Sequence, residues 1–322
     1  MKKTLSVFLA AALALGMMAC SNANTTTPAT EAPATEAASA EEVTTEEVTA
    51  EAADAETEKA AEVGEDGSED NEVGEEVSAE SSDDAVVITG AGVKTAGTLV
   101  MSTNAEFPPY EYHDSATDTG IGDFAGIDVE IAKAIAEKMG CELKIEDIAF
   151  DSIVPQVNSG MADMGMAGMT VTEDRKKNVD FSDTYAISRQ VIVVKEDSEF
   201  VGVEDLAGKR IGVQQGTTGD ILASGDKNIS EGVERYNKAM EAIQSLSQGM
   251  VDAVIVDIEP AKVFVSEVTG LKILDQEYTL EEYAICVKKG NTELLDNINA
   301  ALAVLKADGT LDAIVDKYIN AK

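Results

Sequence analysis

Isoleucines at 127, 131 and 135, followed by Met139, recur every four residues. That spacing predicts an amphipathic helix over 128–139 with one apolar stripe, and Gly140 stands at the position after a helix end that favours a left-handed backbone. A short β-type run at 99–103 precedes it. A second strand at 141–145 follows, and then Phe150 leads into a helix over 151–159 that stops at Gly160. The same grammar returns further on, with strands at 189–195 and 210–214, a turn at 205–208, and GTTGD opening a helix with Thr217 and Thr218 about its cap. The chain is β-rich again at 283–287, and helices over 292–307 and 310–319, split by Asp308 and Gly309, close it. GMADMGMA from Gly160 is similar to GMVDAVIV from Gly249, each following a helix and running into a strand. One βαβ design is therefore used twice, and the alternation of strands and helices predicts an α/β fold.

Chemistry concentrates where the two copies end. The first runs into GMAGMTVTEDRKKNVDFSD, residues 165–183. Thr172 is placed to cap a helix whose first turn carries Glu173 and Asp174, where the helix dipole favours acids. Arg175 then sits about one turn in, and its planar fork can grip a carboxylate with two parallel hydrogen bonds. Gly168 has no side chain to block approach and Thr170 offers a hydroxyl. The same stretch also reads as a surface turn with Arg175 paired to Glu173 or Asp183. The second copy leads to Asp257, which reads either as a helix cap or as the anionic counterpart of Arg175. A cation and an anion at matching strand ends suit the α-carboxylate and α-ammonium of an amino acid.

STNAEFPPYEY, MTVTEDRKKNVDFSDTY, QQGTTGD and DAVIVDIEP, in that order, resemble motifs of the amino-acid-binding proteins of ABC importers, over roughly residues 97–322. The resemblance implies a type II periplasmic-binding-protein fold, two Rossmann-like lobes joined by a hinge. It puts one lobe at 97–187 and 283–322, the other at 188–282, and hinge crossings near 186–189 and 281–284. It implies closure on a free polar L-amino acid, which is then delivered to a membrane permease. The ligand carboxylate is expected to be shared between Arg175 and the amides of Thr217 and Thr218 at a helix start, which binds anions without a charged side chain. Asn104, Phe107, Tyr110, Phe150 and Gln214 would form the side-chain pocket, with Glu106 beside it; for the rings, packing beneath a loop is the other reading. No second cation stands among these residues, so acidic ligands are disfavoured and arginine or glutamine is expected first. A dehydratase-like enzyme on the same fold and a sensor module are the alternatives, but no pair of nucleophile and base stands out.

Lys2 and Lys3, a short apolar run and GMMAC make residues 1–20 read as an export signal, too short to span a bilayer as a mature helix. Cys20 resembles the lipidated first residue of a lipoprotein; a plain secretory signal is the alternative. Residues 21–96 are rich in Ala, Thr, Glu and Ser and hold 21 acids against Lys59 and Lys94, which predicts a disordered acidic linker. Of the net charge of −37, about −20 then falls on the folded part, which argues against nucleic acid as a partner. Cys141 and Cys286 are either free thiols or a disulfide. With His113 the single histidine, neither a metal nor a cofactor is expected. The whole reads as a monomer, lipid-anchored at the outer face of the cytoplasmic membrane.

Overall fold

The computed structural model describes residues 87–116, 119–229 and 232–320. From the first of these stretches the chain enters strand β1 (Thr98–Thr103), and a small antiparallel sheet follows, β2 (Glu106–Phe107), β3 (Glu111–His113) and β4 (Phe124–Ala125). Helix α1 (Ile127–Lys138) comes next, with Ile127, Ile131 and Ile135 fully buried. Burying each such side chain contributes roughly 1.5–3 kcal/mol. Gly140, at φ 69°, ends it, and β5 (Glu142–Asp147) returns beside β1. A 3-10 turn at Phe150–Ser152 enters α2 (Ile153–Ser159), followed by β6 (Met164–Gly165), α3 (Glu173–Lys176) and β7 (Val179–Phe181).

The second half runs β8 (Ala186–Lys195), β9 (Ile211–Gln214), α4 (Thr218–Gly225), β10 (Val233–Tyr236), α5 (Ala239–Gln248), β11 (Ala253–Asp257), α6 (Ile258–Glu267) and β12 (Leu271–Tyr283). The chain then returns through β13 (Cys286–Lys288) to α7 (Thr292–Ala307) and α8 (Thr310–Ile319).

Two five-stranded sheets result, in the orders β5-β1-β6-β13-β7 and β10-β9-β11-β8-β12. In each, the central parallel strands are joined by an antiparallel fourth, β13 beside β6 and β8 beside β11. The duplication read from GMADMGMA and GMVDAVIV is thus a duplication of topology. Its two aspartates do equivalent work: Asp163 accepts the Val100 N–H entering β1 at 2.8 Å, and Asp252 accepts the Arg210 N–H before β9 at 2.9 Å. Each carboxylate fastens the start of a neighbouring strand. The sheets are joined where β8 and β12 pair, Ser188 opposite Glu281 and Ala186 opposite Tyr283.

One boundary differs from the expectation. Residues 88–94, counted with the linker, pack on the folded unit: Ile88 and Val93 lie against the core, the Lys94 N–H donates to Asp163 at 2.7 Å, and Asn291 donates to the Gly92 carbonyl at 2.9 Å. Two aliphatic side chains among small residues suffice once such anchors exist. Cys20 and the rest of 1–86 lie outside the described residues. Cys141 is half-buried, Cys286 is buried, and neither is in a disulfide. No group of His, Cys, Asp and Glu among the described residues could hold a metal ion, and none of their helices is long and apolar enough to cross a membrane.

Candidate functional site

Thr172 caps α3 by accepting the Arg175 N–H at 3.2 Å, which turns the arginine side chain away from solvent. The residue is 9% exposed and its guanidinium stacks 5.3 Å above the centroid of Phe150, so cation and ring stabilise each other. Nη1 donates to the Thr170 carbonyl at 2.6 Å and Nη2 to the Gly216 carbonyl at 3.0 Å. Thr170 lies just before α3 and Gly216 just before α4, so the fork ties the two halves together. Glu173 pairs instead with Lys176 at 2.9 Å. Burial lowers the Arg175 pKa, yet a guanidinium starts high enough to stay charged.

Across from it α4 begins. Thr217 is the N-cap, accepting the Asp220 N–H at 3.3 Å and donating its hydroxyl to the Gln214 carbonyl at 2.8 Å. The first N–H groups of a helix have no intrahelical acceptor, so Thr218 and Gly219 present an anion-attracting end. The threonine hydroxyls are otherwise engaged: Thr218 donates to Glu281 at 2.8 Å, and Thr170 donates to the same carboxylate. Glu281, 2% exposed and raised in pKa by burial, carried no expectation from the sequence.

Asp257 ends β11 and occupies the N-cap position of α6, but its side chain makes no cap hydrogen bond. The cap reading is thereby excluded. Its carboxylate accepts from Gln190 Nε2 at 2.7 Å and from the Tyr283 hydroxyl. Burial pushes its pKa up to about 7, while those two donors pull the other way. A cation beside it would restore the charged form.

One cavity brings together Asn104, Phe107, Phe150, Gly168, Thr170, Arg175, Gln214, Thr217, Thr218 and Asp257. Asn104 accepts from Gln214 Nε2 at 2.9 Å and donates to the Ile148 carbonyl at 2.8 Å, so it too bridges the halves. Gly168 sits at φ +50°, where a Cβ would come 3.2 Å from the Phe107 ring. Its N–H donates to Asp128 at 2.8 Å. The cavity has room for about one water, so a larger molecule enters only if the halves part.

Tyr110 is not in this group. It is 1% exposed, its ring 6.2 Å from Phe107 and 5.2 Å, edge-on, from Tyr283. The turn closed by the Tyr110 N–H on the Phe107 carbonyl at 3.0 Å sends this ring into the core. The next residue, Glu111, lines the cavity instead; in a chain with 61 acids no pattern marked it. Glu106 does not line the cavity but pairs with Lys238.

Residues 99–321 match the bacterial extracellular solute-binding proteins, family 3. The chain belongs to this family. Among its relatives, the arginine-binding extracellular protein ArtP of Bacillus subtilis (strain 168) is 32% identical over 248 residues, covering 73% of this chain and 93% of ArtP. A solved structure of an ancestral arginine-binding protein bound to arginine is 42% identical, with TM-score 0.65, over 69% of this chain and 98% of that one. An ancestral arginine-binding protein bound to glutamine is 40% identical, also at TM-score 0.65, over 70% and 100%. The fold is the type II periplasmic-binding-protein fold of these extracellular solute-binding proteins.

Proposed function

We propose that the chain captures a free polar L-amino acid, arginine or glutamine, outside the cell and hands it to the permease of an ABC importer. The observation that carries this reading is that Arg175 and Asp257, one cation and one anion from the two halves, line a single small cavity. Arg175 and the first amides of α4 suit the α-carboxylate, and Asp257 suits the α-ammonium. Phe107, Phe150, Asn104, Gln214 and Glu111 are left for the side chain, and none of them is a cation, so glutamate and aspartate fit poorly. Relatives that bind arginine or glutamine support the same ligand class.

Only the closed form makes contacts from both halves, so a ligand that joins them shifts the population toward closure. Lobes at 97–187 with 283–322 and at 188–282 would turn about the β8–β12 pairing. We read the protein as a binding protein, not an enzyme, monomeric and anchored to the outer face of the membrane by a lipid on Cys20. A thermal-shift screen of the amino acids, with turnover followed in the same samples, tests it: arginine or glutamine should raise the melting temperature most and stay intact. Consumption of the ligand would favour the enzyme reading.

A further inference from the structure

Behind the side-chain end of the cavity lies a pair of buried carboxyls. Glu111, on β3 opposite Phe107 of β2, lines the cavity and is 1% exposed; Asp128, in the first turn of α1, is 0% exposed. Asp128 Oδ2 accepts the Gly168 N–H and the Tyr185 hydroxyl, both at 2.8 Å. Its Oδ1 and Glu111 Oε2 have no N–H or O–H donor among the described residues; the Asp128 N–H donates to the carbonyl of Tyr110, next to Glu111, at 2.9 Å, and the two carboxyls act on each other. Two ionised carboxylates are acceptors only and cannot satisfy each other; one proton between them supplies the missing donor.

The surroundings favour that proton. The charged groups acting most strongly on Glu111 are Asp128 of α1, Asp257 of β11 and Asp147 of β5, all acids, and Arg175 lines the same cavity. The tyrosines nearby, Tyr185, Tyr110 and Tyr283, are themselves pushed up by burial and these acids. Burial first, and Asp128 next, holds Glu111 well above the usual carboxylate range, and burial pushes Asp128 up to about 7. A guanidinium or ammonium lying over Phe107 and against Glu111 would supply both the counter-charge and the hydrogen-bond donors, and make the shared proton superfluous.

We propose that Glu111 and Asp128 hold one proton between them and release it to solvent when a cationic ligand side chain enters, so that cation binding, unlike binding of a neutral amino acid, is coupled to proton release. This rests on the reading of the cavity as an amino-acid site. The pair therefore sets preference between arginine and glutamine by pH: one proton released makes affinity rise roughly tenfold per pH unit below the pair's pKa. Both ligands carry the same α-ammonium toward Asp257, so any titration there cancels when the two are compared.

The test is calorimetric titration of the full chain with L-arginine and L-glutamine in buffers of different ionisation enthalpy, from pH 5.5 to 8. The expected result is that arginine releases close to one proton more than glutamine, and that the ratio of their affinities shifts toward arginine by nearly tenfold per unit in the acidic part of the range. In Glu111→Gln, and independently in Asp128→Asn, the excess release should vanish and the ratio should become flat with pH. Equal proton counts for the two ligands in the parent would overturn the proposal while leaving the amino-acid reading intact. Binding of glutamine without arginine would also overturn the proposal alone, and absence of binding by any amino acid would overturn both.

Discussion

At the scale of the residue, the account rests on Arg175 and Asp257. Arg175→Ala should reduce affinity for the amino acid thirty- to several-thousand-fold, because an anion closed into a buried site without its charged partner costs on the order of 2–5 kcal/mol. Titration calorimetry reads this directly, and an affinity within threefold of the parent would contradict it. Asp257→Asn should weaken binding while sparing the fold, since the side chain caps no helix. The pH dependence sharpens that expectation. The folded pKa of Asp257 stands near 7, above its ordinary 3.8, so the folded state binds the proton more tightly than the unfolded chain does. Its stabilising effect is complete at acid pH and is lost as pH rises toward 7. The asparagine variant should therefore gain in melting temperature relative to the parent on going from pH 5 to pH 8, and a gap independent of pH would show that the carboxyl is not strained by burial.

At the scale of the element, the repeat makes its own prediction. Asp163, 5% exposed, receives the N–H groups of Lys94 and Val100, and hydrogen bonds to a charged group are worth about 1.5–3 kcal/mol each. Asp163→Ala should cost about 3 kcal/mol in denaturant unfolding. Asp252→Ala should cost about 1, because its side chain is 33% exposed and water can replace it. Equal costs would mean that the two copies are not fastened in the way described. The elements themselves were legible to different degrees. Helices α7 and α8 follow the expected bounds because apolar spacing and the Asp308–Gly309 break are unambiguous. Strand β12 was seen only at its end: charges interrupt its alternation and its register shifts between Ile273 and Thr279, which breaks the period of two. Strand β10, VERY, is short and mostly polar. The cavity lining was legible where a residue type is chemically singular, as with Arg175, or where the repeat gave a partner, as with Asp257. Glu111, Asp128 and Glu281 were not, because burial sets them apart from the chain's other acids and sequence does not show burial. Tyr110 lies outside the cavity because the turn between β2 and β3 sends its ring into the core.

At the scale of the whole molecule, two copies of one α/β design meet at the paired strands β8 and β12 and close on groups drawn from both. Asn104 with Gln214, Arg175 with the Gly216 carbonyl, Gln215 with Asp151 and Lys238 with Glu106 all cross between the halves. The exposed pair among them adds little, since surface ion pairs are worth about 0–1 kcal/mol. In the proposed reading the buried polar groups set the selectivity. The most direct test is one competition titration of the full chain, with L-arginine, L-glutamine, L-glutamate and L-aspartate displacing the tightest ligand. Arginine or glutamine should bind tightest, with glutamate and aspartate at least about ten times weaker, the equivalent of about 1.4 kcal/mol; glutamate or aspartate at the head of the order would contradict the account.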